Sequence, residues 1–267
     1  MQGSARSERE DVETRAETRE DQAPRRAVVV IPTYNEYENL AAIVEAALAE
    51  QARVGAFDLH VLIADSHSND GTLELAAELE TTNPRVHLLD VNERGIGIGL
   101  YKGMTHAIEQ LGADVLLEMD ADFQHNPANI PHFLEQIEVG YDLVVGSRFI
   151  AGSGNRMPFY RRVLSVAANQ VIRIVLGLRG VTEITTSYRA FTREAFLRVP
   201  PDAVPWRERS FIPVPVFLVR MLEYGARATE IPITMHPRAH GTSKMAYRKY
   251  IRDILLFSLR SRLGRKA

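Results

Sequence analysis

Cysteine is absent from the 267-residue sequence, and tryptophan occurs once. The lack of cysteine excludes disulfide bonds, thiolate zinc sites and cysteine nucleophiles. Long apolar runs are also missing, because Arg173 interrupts the best candidate, residues 163–178. A bilayer-spanning helix needs about 20 mainly apolar residues, so the chain is not expected to cross a membrane by itself.

Net charge is small, but it is unevenly distributed along the chain. The formal value is −2. Residues 1–145 carry 27 acidic against 10 basic side chains, a net charge of −17, and residues 146–267 carry 7 against 22, a net charge of +15. An acidic half suits a metal ion, whereas a basic half suits anionic groups or an anionic surface. A mixed solvated surface is the alternative interpretation.

Three segments differ in composition. Residues 1–26 alternate acids with arginines and lack large apolar side chains, so they predict a disordered charged tail without a secretory signal. Residues 27–245 have the apolar periodicity of a globular domain. Residues 246–267 are basic, and Ala246–Leu263 is amphipathic, which predicts a helix packed on the domain or lying on a membrane surface.

Short apolar runs alternate with helical periodicity through the first half of the domain. This alternation predicts an α/β fold with a mostly parallel, doubly wound sheet flanked by helices. The predicted strands are Ala27–Pro32, Leu59–Asp65, Val86–Asp90, Val115–Asp120 and Leu143–Gly146, and the helices are Asn39–Gln51, a segment from Thr72, Leu100–Leu111 and Asn129–Val139. Further on, we expect helices at Phe159–Leu178 and Val214–Tyr224 and strands at Ile184–Phe191 and Ala228–Thr234.

The sharpest local motif is Met119-Asp120-Ala121-Asp122-Phe123-Gln124. An apolar strand that ends in two carboxylates places both at the carboxyl edge of a sheet, where open α/β sheets bind ligands. Carboxylate and amide oxygens suit Mg²⁺ or Mn²⁺ completed by substrate phosphates. A lone Asp-x-Asp also occurs in solvated turns, but the buried strand before it favours a metal site. His125 alone does not make a zinc site.

Other motifs surround this pair in the sequence. Pro32-Thr33-Tyr34-Asn35-Glu36 either caps a helix or places a ring and a carboxylate beside a nucleobase. Residues 95–99, Gly-Ile-Gly-Ile-Gly, lack the spacing of a dinucleotide fingerprint, and we interpret them as a turn that lets the backbone approach a ligand. In the basic half, Arg148, Arg161 and Arg238 suit phosphate oxygens. Aromatic interleaving typical of nucleic-acid binding is missing, so no nucleic acid is expected.

Six motifs in order resemble glycosyltransferase family 2, and within it the polyprenol-phosphate (dolichol-phosphate) mannosyltransferases. The resemblance runs from about residue 27 to about residue 259. The motifs that carry it are residues 32–36 (Pro-Thr-Tyr-Asn-Glu), 69–72 (Asn-Asp-Gly-Thr), 95–97 (Gly-Ile-Gly), 120–125 (Asp-Ala-Asp-Phe-Gln-His), 146–148 (Gly-Ser-Arg) and 241–244 (Gly-Thr-Ser-Lys).

The resemblance implies a GT-A fold that moves a hexose, with inversion, from a nucleotide diphosphate to a lipid phosphate. It implies Mg²⁺ or Mn²⁺ on Asp120, Asp122 and Gln124. The catalytic residues would be Asp122, Arg148 and Arg238, and Arg148, Arg161 and Ser165 would face the acceptor phosphate. The donor would contact Pro32, Tyr34, Glu36, Asp65, Gly97, Asp120, Ala121 and Lys244.

Three departures from the family pattern alter the expected donor pocket. Ser66 stands at the position where the family usually has a second acid, and that acid normally contacts the nucleobase. The segment 185–189 reads Thr-Thr-Ser-Tyr-Arg. Val214–Val216 replaces an expected glutamate or glutamine. The main hypothesis is mannosyl transfer from GDP-mannose to polyprenyl or dolichyl phosphate. One alternative is a family 2 glycosyltransferase that uses another nucleotide sugar, of the UDP-glucose type, or a small-molecule acceptor. The other alternative is a non-catalytic nucleotide-sugar-binding protein. We expect peripheral attachment at the cytoplasmic face of the membrane, with a membrane-anchoring subunit as a candidate partner.

Overall fold

The computed structural model describes residues 23–156, 159–178 and 180–238, together with residues 250, 252–254 and 256–257. A seven-stranded sheet forms its centre, in the order β3-β2-β1-β4-β7-β5-β8, and β6 pairs with β9 beside it. The strands are β1 (Arg25–Thr33), β2 (Phe57–Asp65), β3 (Val86–Asp90), β4 (Val115–Glu118), β5 (Leu143–Ser147), β6 (Gly154–Asn155), β7 (Arg189–Thr192), β8 (Ala228–Pro232) and β9 (Thr234–Met235).

Helices cover both faces of the sheet. They are α1 (Tyr37–Ala49), α2 (Thr72–Thr82), α3 (Ile96–Glu109), α4 (Ile130–Glu138), α5 (Phe159–Leu176), α6 (Arg193–Leu197) and α7 (Pro213–Glu223). Alternate residues of β1 face opposite layers: Val28 and Val30 pack with α3 and α7, whereas Val29 and Ile31 pack with α1 and α4. A strand buried on both faces is a continuous apolar run, as observed for residues 27–31.

The strand order determines where a ligand can bind. From β1 the chain builds β2 and β3 on one side, and it then returns to place β4 on the other side of β1. The sequence of strands therefore reverses between β1 and β4. In open α/β sheets, ligands bind outside the carboxyl ends of the strands at such a switch point.

The predicted α/β sheet is confirmed, with three corrections. Strand β7 is antiparallel to β4 and β5, and it covers only Arg189–Thr192 instead of 184–191, because residues 181–188 form a polar loop. Residues 96–99 are the first turn of α3, so their interpretation as a turn was wrong. Strand β1 begins at Arg25, two residues before the predicted start of that strand at Ala27. Residues 1–22 of the tail lie outside the described residues.

None of the helices in the described part of the chain is long and apolar enough to cross a membrane. Tyr250 and residues 252–254 are helical, in the segment predicted as an amphipathic helix. Tyr250 and Ile254 are buried against the core, and Leu256 is exposed. Most of the rest of 246–267 lies outside the described residues, so the C-terminal helix as a separate segment stays a prediction.

Candidate active site at the carboxyl edge of the sheet

Two carboxylates lie directly after β4 at the switch point. The Asp120 Oδ1 atom accepts a hydrogen bond of 3.0 Å from the Ser187 hydroxyl. Asp122 is 1% exposed, and its Oδ1 atom accepts 3.0 Å from the backbone N–H of Gln124. Burial raises the pKa of both carboxyls, and the proximity of Asp120 raises that of Asp122 further. Asp120 is partly exposed, at 30%, and Asp122 is buried. A bound cation would offset the cost of holding two negative charges this close together.

Arg238 supplies positive charge to this edge. Its Nη2 atom lies 2.7 Å from Asp122 Oδ2, and its Nη1 atom lies 3.2 Å from Glu36 Oε1. The segment is held there because the backbone N–H of His236 donates to the Gln124 carbonyl and the Gln124 side-chain amide donates to the His236 carbonyl, both at 3.3 Å. Arg238 therefore joins the loop after β1 to the loop after β4.

His125 supports the acidic loop from beneath. Its ring stacks on Tyr188 with centroids 4.6 Å apart, and its Nδ1 atom accepts 3.1 Å from the backbone N–H of Asp120. Burial lowers the pKa of His125 to about 4 despite the nearby Asp122 carboxylate. The ring is therefore neutral, and it positions the Asp120 backbone.

The donor set at this edge fits a magnesium-type ion. Within the described residues, no group of three or more His, Asp or Glu side chains has the geometry of a metal site. Mg²⁺ is commonly held by one or two carboxylates, with substrate phosphates and water completing the octahedron. Asp120 and Asp122 supply such a pair, and the partner that balances Asp122 in this structure is the Arg238 guanidinium.

Among the described residues, three other than glycine have positive φ, and each lies in the loop after a strand at this edge. They are Asn35 after β1 (54°), His67 after β2 (56°) and Phe123 after β4 (61°). Such conformations are strained, most of all for an aromatic residue, and they cluster at functional sites. Phe123 in this conformation lies between Asp122 and Gln124, two residues of the predicted metal site.

The loops after β1, β2 and β3 form the side of the edge predicted for the nucleoside. The guanidinium of Arg94 lies over the Tyr34 ring, 4.9 Å from its centroid. Pro32 is the penultimate residue of β1, and the backbone N–H of Ser66 donates 2.9 Å to the Thr33 carbonyl. Ser66 is buried and contributes no charge. This part of the edge therefore offers the Tyr34 ring for stacking, and at position 66 it has an uncharged serine in place of an acid.

Asp65 is fully buried within the same loops. Its Oδ2 atom accepts from the hydroxyls of Thr33 and Ser68, both at 2.7 Å, and its Oδ1 atom accepts 2.7 Å from the backbone N–H of Ser68. These contacts make Asp65 the centre of the loop structure. The exposed acid beside it is Asp90, at 3.2 Å from the His67 ring nitrogen.

The predicted donor residues Gly97 and Ala121 lie within packed structure. A side chain on Gly97 would approach the Trp206 carbonyl oxygen and Pro213 to 2.6 Å, which requires glycine at the contact between α3 and the 206–213 segment. Ala121 is 3% exposed between the two carboxylates. Lys244 lies outside the described residues.

The predicted acceptor residues lie on the β5 side of the edge. Arg148 follows β5, and its guanidinium makes a bidentate pair with Glu183: Nε lies 2.6 Å from Oε2 and Nη2 lies 2.9 Å from Oε1. Burial alone would lower the Arg148 pKa, but the Glu183 charge raises it overall. Ser165 lies on α5, where its carbonyl accepts 2.9 Å from Asn169. Arg161 lies on the same helix.

Sequence reasoning missed the acids that organise this edge from inside. Glu118 and Arg189 form a second buried bidentate pair, at 2.8 and 3.2 Å, beneath Asp120. Burial raises the pKa of Glu118 to about 7 against the opposing charge of Arg189. No role was predicted for Glu183, and Ser187 was named only as part of the segment 185–189. The available signal was the run Thr182–Ser187, in which five of six residues are polar, and such a run is unusual for a buried strand.

The sheet order and its edge define a GT-A fold, the architecture of nucleotide-diphospho-sugar transferases. The structure superimposes on glucosyl-3-phosphoglycerate synthase from Mycobacterium tuberculosis in complex with Mn²⁺ and UDP-glucose, with a TM-score of 0.62, 19% identity, and coverage of 93% of this chain and 83% of that chain. The complex of that enzyme with Mg²⁺ and UDP gives a TM-score of 0.62 at 20% identity, with 93% and 83% coverage.

The chain belongs to glycosyltransferase family 2, whose family model matches residues 28–199. It is 36% identical to the polyprenol monophosphomannose synthase of Mycolicibacterium smegmatis over 90% of this chain and 89% of that protein. It is 35% identical to the undecaprenyl-phosphate mannosyltransferase of Micrococcus luteus, with coverage of 83% and 88%. The dolichol-phosphate mannosyltransferase of Pyrococcus furiosus is 31% identical, with coverage of 85% and 62%. These findings confirm the family predicted from the motifs.

Proposed function

We propose that this protein is an inverting, metal-dependent glycosyltransferase that moves mannose from GDP-mannose to a polyprenyl phosphate. The observation that carries the proposal is the pair of carboxylates at the switch point, the partly exposed Asp120 and the buried Asp122, with Arg238 beside Asp122. The names of three relatives at 31–36% identity support the sugar and the acceptor.

In the proposed reaction, Asp120, Asp122 and Gln124 would hold Mg²⁺ or Mn²⁺, which would supply positive charge for the leaving diphosphate. An oxygen of the acceptor phosphate attacks the anomeric carbon as the bond from that carbon to the diphosphate oxygen breaks. One displacement inverts the configuration and releases GDP. A phosphate monoester is already anionic, so the chain needs to align it and not to deprotonate it. No Ser-His-Asp arrangement is required.

Separate sides of the edge serve the two substrates in this proposal. The donor base lies by Tyr34, with Pro32, Asp65 and Gly97 shaping that side, and Glu36 and Arg238 lie towards the diphosphate. Lys244 and Ala121 belong to the same predicted donor site. Arg148, Arg161 and Ser165 face the acceptor phosphate. The contact of Arg148 Nη1 with the Met235 sulfur, at 3.3 Å, supports this arrangement because Met235 adjoins His236, which pairs with the acidic loop.

We further propose that the protein attaches peripherally to the cytoplasmic face of the membrane that contains its acceptor. Helix α5 supports this, since it exposes apolar side chains at Phe159 (79%), Val163 (48%), Val166 (39%) and Ile174 (72%). Such a face beside basic residues is typical of helices at an anionic lipid surface. A membrane-anchoring subunit is an alternative partner for the same face.

A second donor remains a candidate because Ser66 removes the acid that normally reads the base. The test is a panel of GDP-mannose, UDP-glucose and other nucleotide sugars with polyprenyl phosphate and Mg²⁺, with lipid-linked product detected by mass spectrometry. We expect mannose-lipid from GDP-mannose, lost when the metal is chelated and restored by Mn²⁺. Product only from a UDP-sugar would contradict the GDP-mannose assignment, and product only on a small-molecule acceptor would contradict the lipid assignment.

A further inference from the structure

Glu183 is a buried carboxylate at the acceptor side that the proposed chemistry does not use. It is 0% exposed and lies in the loop before β7. Besides the two contacts with Arg148, its Oε1 atom accepts from the Asn169 amide at 3.2 Å and from the Thr185 hydroxyl at 2.9 Å. A buried carboxyl group that accepts this many hydrogen bonds is rigidly held.

The same group joins two elements whose residues the family resemblance assigns to the acceptor phosphate. Arg148 comes from the loop after β5, and Ser165 comes from α5. Asn169 donates both to the Ser165 carbonyl and to Glu183, and its own oxygen accepts 2.6 Å from the backbone N–H of Ile184. The loop that carries Glu183 thus fixes the position of α5 relative to Arg148.

The pairing also restricts how Arg148 can meet an anion. Its Nε and Nη2 atoms are directed at Glu183, and Nη2 also donates 3.0 Å to the Thr185 hydroxyl. Nη1 is the guanidinium nitrogen that Glu183 leaves available, and its described contact is the weakly accepting Met235 sulfur. The Arg148 side chain is 8% exposed, and its Nε and Nη2 atoms are held by Glu183. Nη1 is therefore the nitrogen left to bind an anion, and its direction is fixed.

We propose that Glu183 is a positioning residue of the acceptor site: it fixes the Arg148 guanidinium so that Nη1 meets the acceptor phosphate. The inference rests on the proposed function. Without the Glu183 charge, Arg148 retains its own charge but loses its fixed orientation, so capture of the acceptor weakens while the donor site is unchanged. Pre-organised charge costs no reordering when the substrate binds.

The test measures the acceptor KM, the donor KM and the binding of Mn²⁺–GDP by Glu183→Gln. We expect the acceptor KM to rise about tenfold or more, with the donor KM and Mn²⁺–GDP binding unchanged. The control is Asp142→Asn, because Asp142 pairs with Arg198 at the opposite end of β5, and it should alter neither KM. An unchanged acceptor KM in Glu183→Gln overturns the inference.

A double variant separates positioning from a general structural effect. If Glu183 acts through Arg148, Glu183→Gln in an Arg148→Ala background adds nothing to the acceptor KM, although it raises the melting temperature by removing an unpaired buried charge. An equal rise in KM with and without Arg148 overturns the inference. If Glu183→Gln does not fold, the near-isosteric Thr185→Val takes its place and is expected to raise the acceptor KM about threefold. An unchanged acceptor KM in Thr185→Val then overturns the inference.

The experiment also distinguishes this inference from the proposed function. If the wild-type enzyme transfers no sugar to polyprenyl phosphate, the proposed function fails, and the inference fails with it. If the wild-type enzyme does transfer sugar and neither Glu183→Gln nor Thr185→Val changes the acceptor KM, only the inference fails.

Discussion

Asp122 shows how single residues at this edge combine burial with charge. Its carboxylate is almost inaccessible, its pKa is raised by burial and by Asp120, and one Arg238 nitrogen lies 2.7 Å away. Asp120 is less buried and is held by Ser187. The two carboxylates thus have different surroundings, and Asp122 is the one whose charge depends most on a cation.

We expect Asp122→Asn to remove most turnover while the fold persists. The replacement is nearly isosteric but neutral, so it removes one of two charges that hold the metal, and a loss of several kcal/mol of transition-state stabilisation corresponds to roughly a thousandfold in rate. Turnover at limiting Mg²⁺ and thermal unfolding are measured together, with the exposed Asp202→Asn as control. Wild-type turnover in Asp122→Asn would show that the acidic pair is structural.

At the scale of elements, the pairing of β4 with the antiparallel β7 depends on a buried ion pair. Glu118 and Arg189 are register partners, both side chains are 0% exposed, and Arg189 Nη1 also donates 3.0 Å to the Val214 carbonyl of α7. The pair therefore ties together two strands and a helix directly beneath the acidic loop.

At about pH 9, above the Glu118 pKa of about 7, Glu118→Gln is expected to destabilise the protein by about 3–5 kcal/mol, because it leaves the Arg189 charge buried and uncompensated. Replacing both partners by apolar residues, as in Glu118→Leu with Arg189→Met, should recover most of this loss. Denaturant unfolding measures both effects. As control, Arg53→Gln breaks the exposed pair with Glu50 and should cost less than about 1 kcal/mol. Equal stability of Glu118→Gln and wild type would contradict the prediction.

At the scale of the whole molecule, the charge distribution and the exposed apolar side chains both favour binding to an anionic membrane surface. The second half of the chain has a net charge of +15, and α5 within it exposes Phe159 and Ile174. Basic residues close to an anionic bilayer contribute about 1 kcal/mol each, and salt screens this attraction. Apolar insertion, in contrast, is insensitive to salt.

Co-sedimentation with vesicles containing anionic lipid should therefore detect binding that falls as salt rises. The double variant Phe159→Ser and Ile174→Ser is expected to weaken binding about tenfold or more, since each buried apolar side chain contributes roughly 1.5–3 kcal/mol. Leu197→Ser is the control, because Leu197 is 59% exposed on α6 outside this face. Binding that responds to neither salt nor the α5 variant would contradict peripheral attachment through this face.

Local patterns were sufficient for the sheet, the family and the position of the acidic pair. Residues 27–31 must be buried on both faces, and the carboxylates of Asp120 and Asp122 follow a short apolar strand, whatever the rest of the chain does. The α3 boundary was missed because glycine is a poor helix former, and a close contact of Gly97 with Trp206 and Pro213 overrides that preference.

Only the tertiary structure decided which charged groups meet. Arg238 lies 202 residues from Glu36, and Glu183 lies 35 residues from Arg148, and neither pairing has a periodicity or a spacing that a sequence displays. The antiparallel insertion of β7 between β4 and β5 likewise depends on the chain's path and not on local propensity. The sequence by itself determined the elements and the acidic pair because these arise from near neighbours. The partners of the arginines, and so the direction in which each can act, were decided by long-range packing.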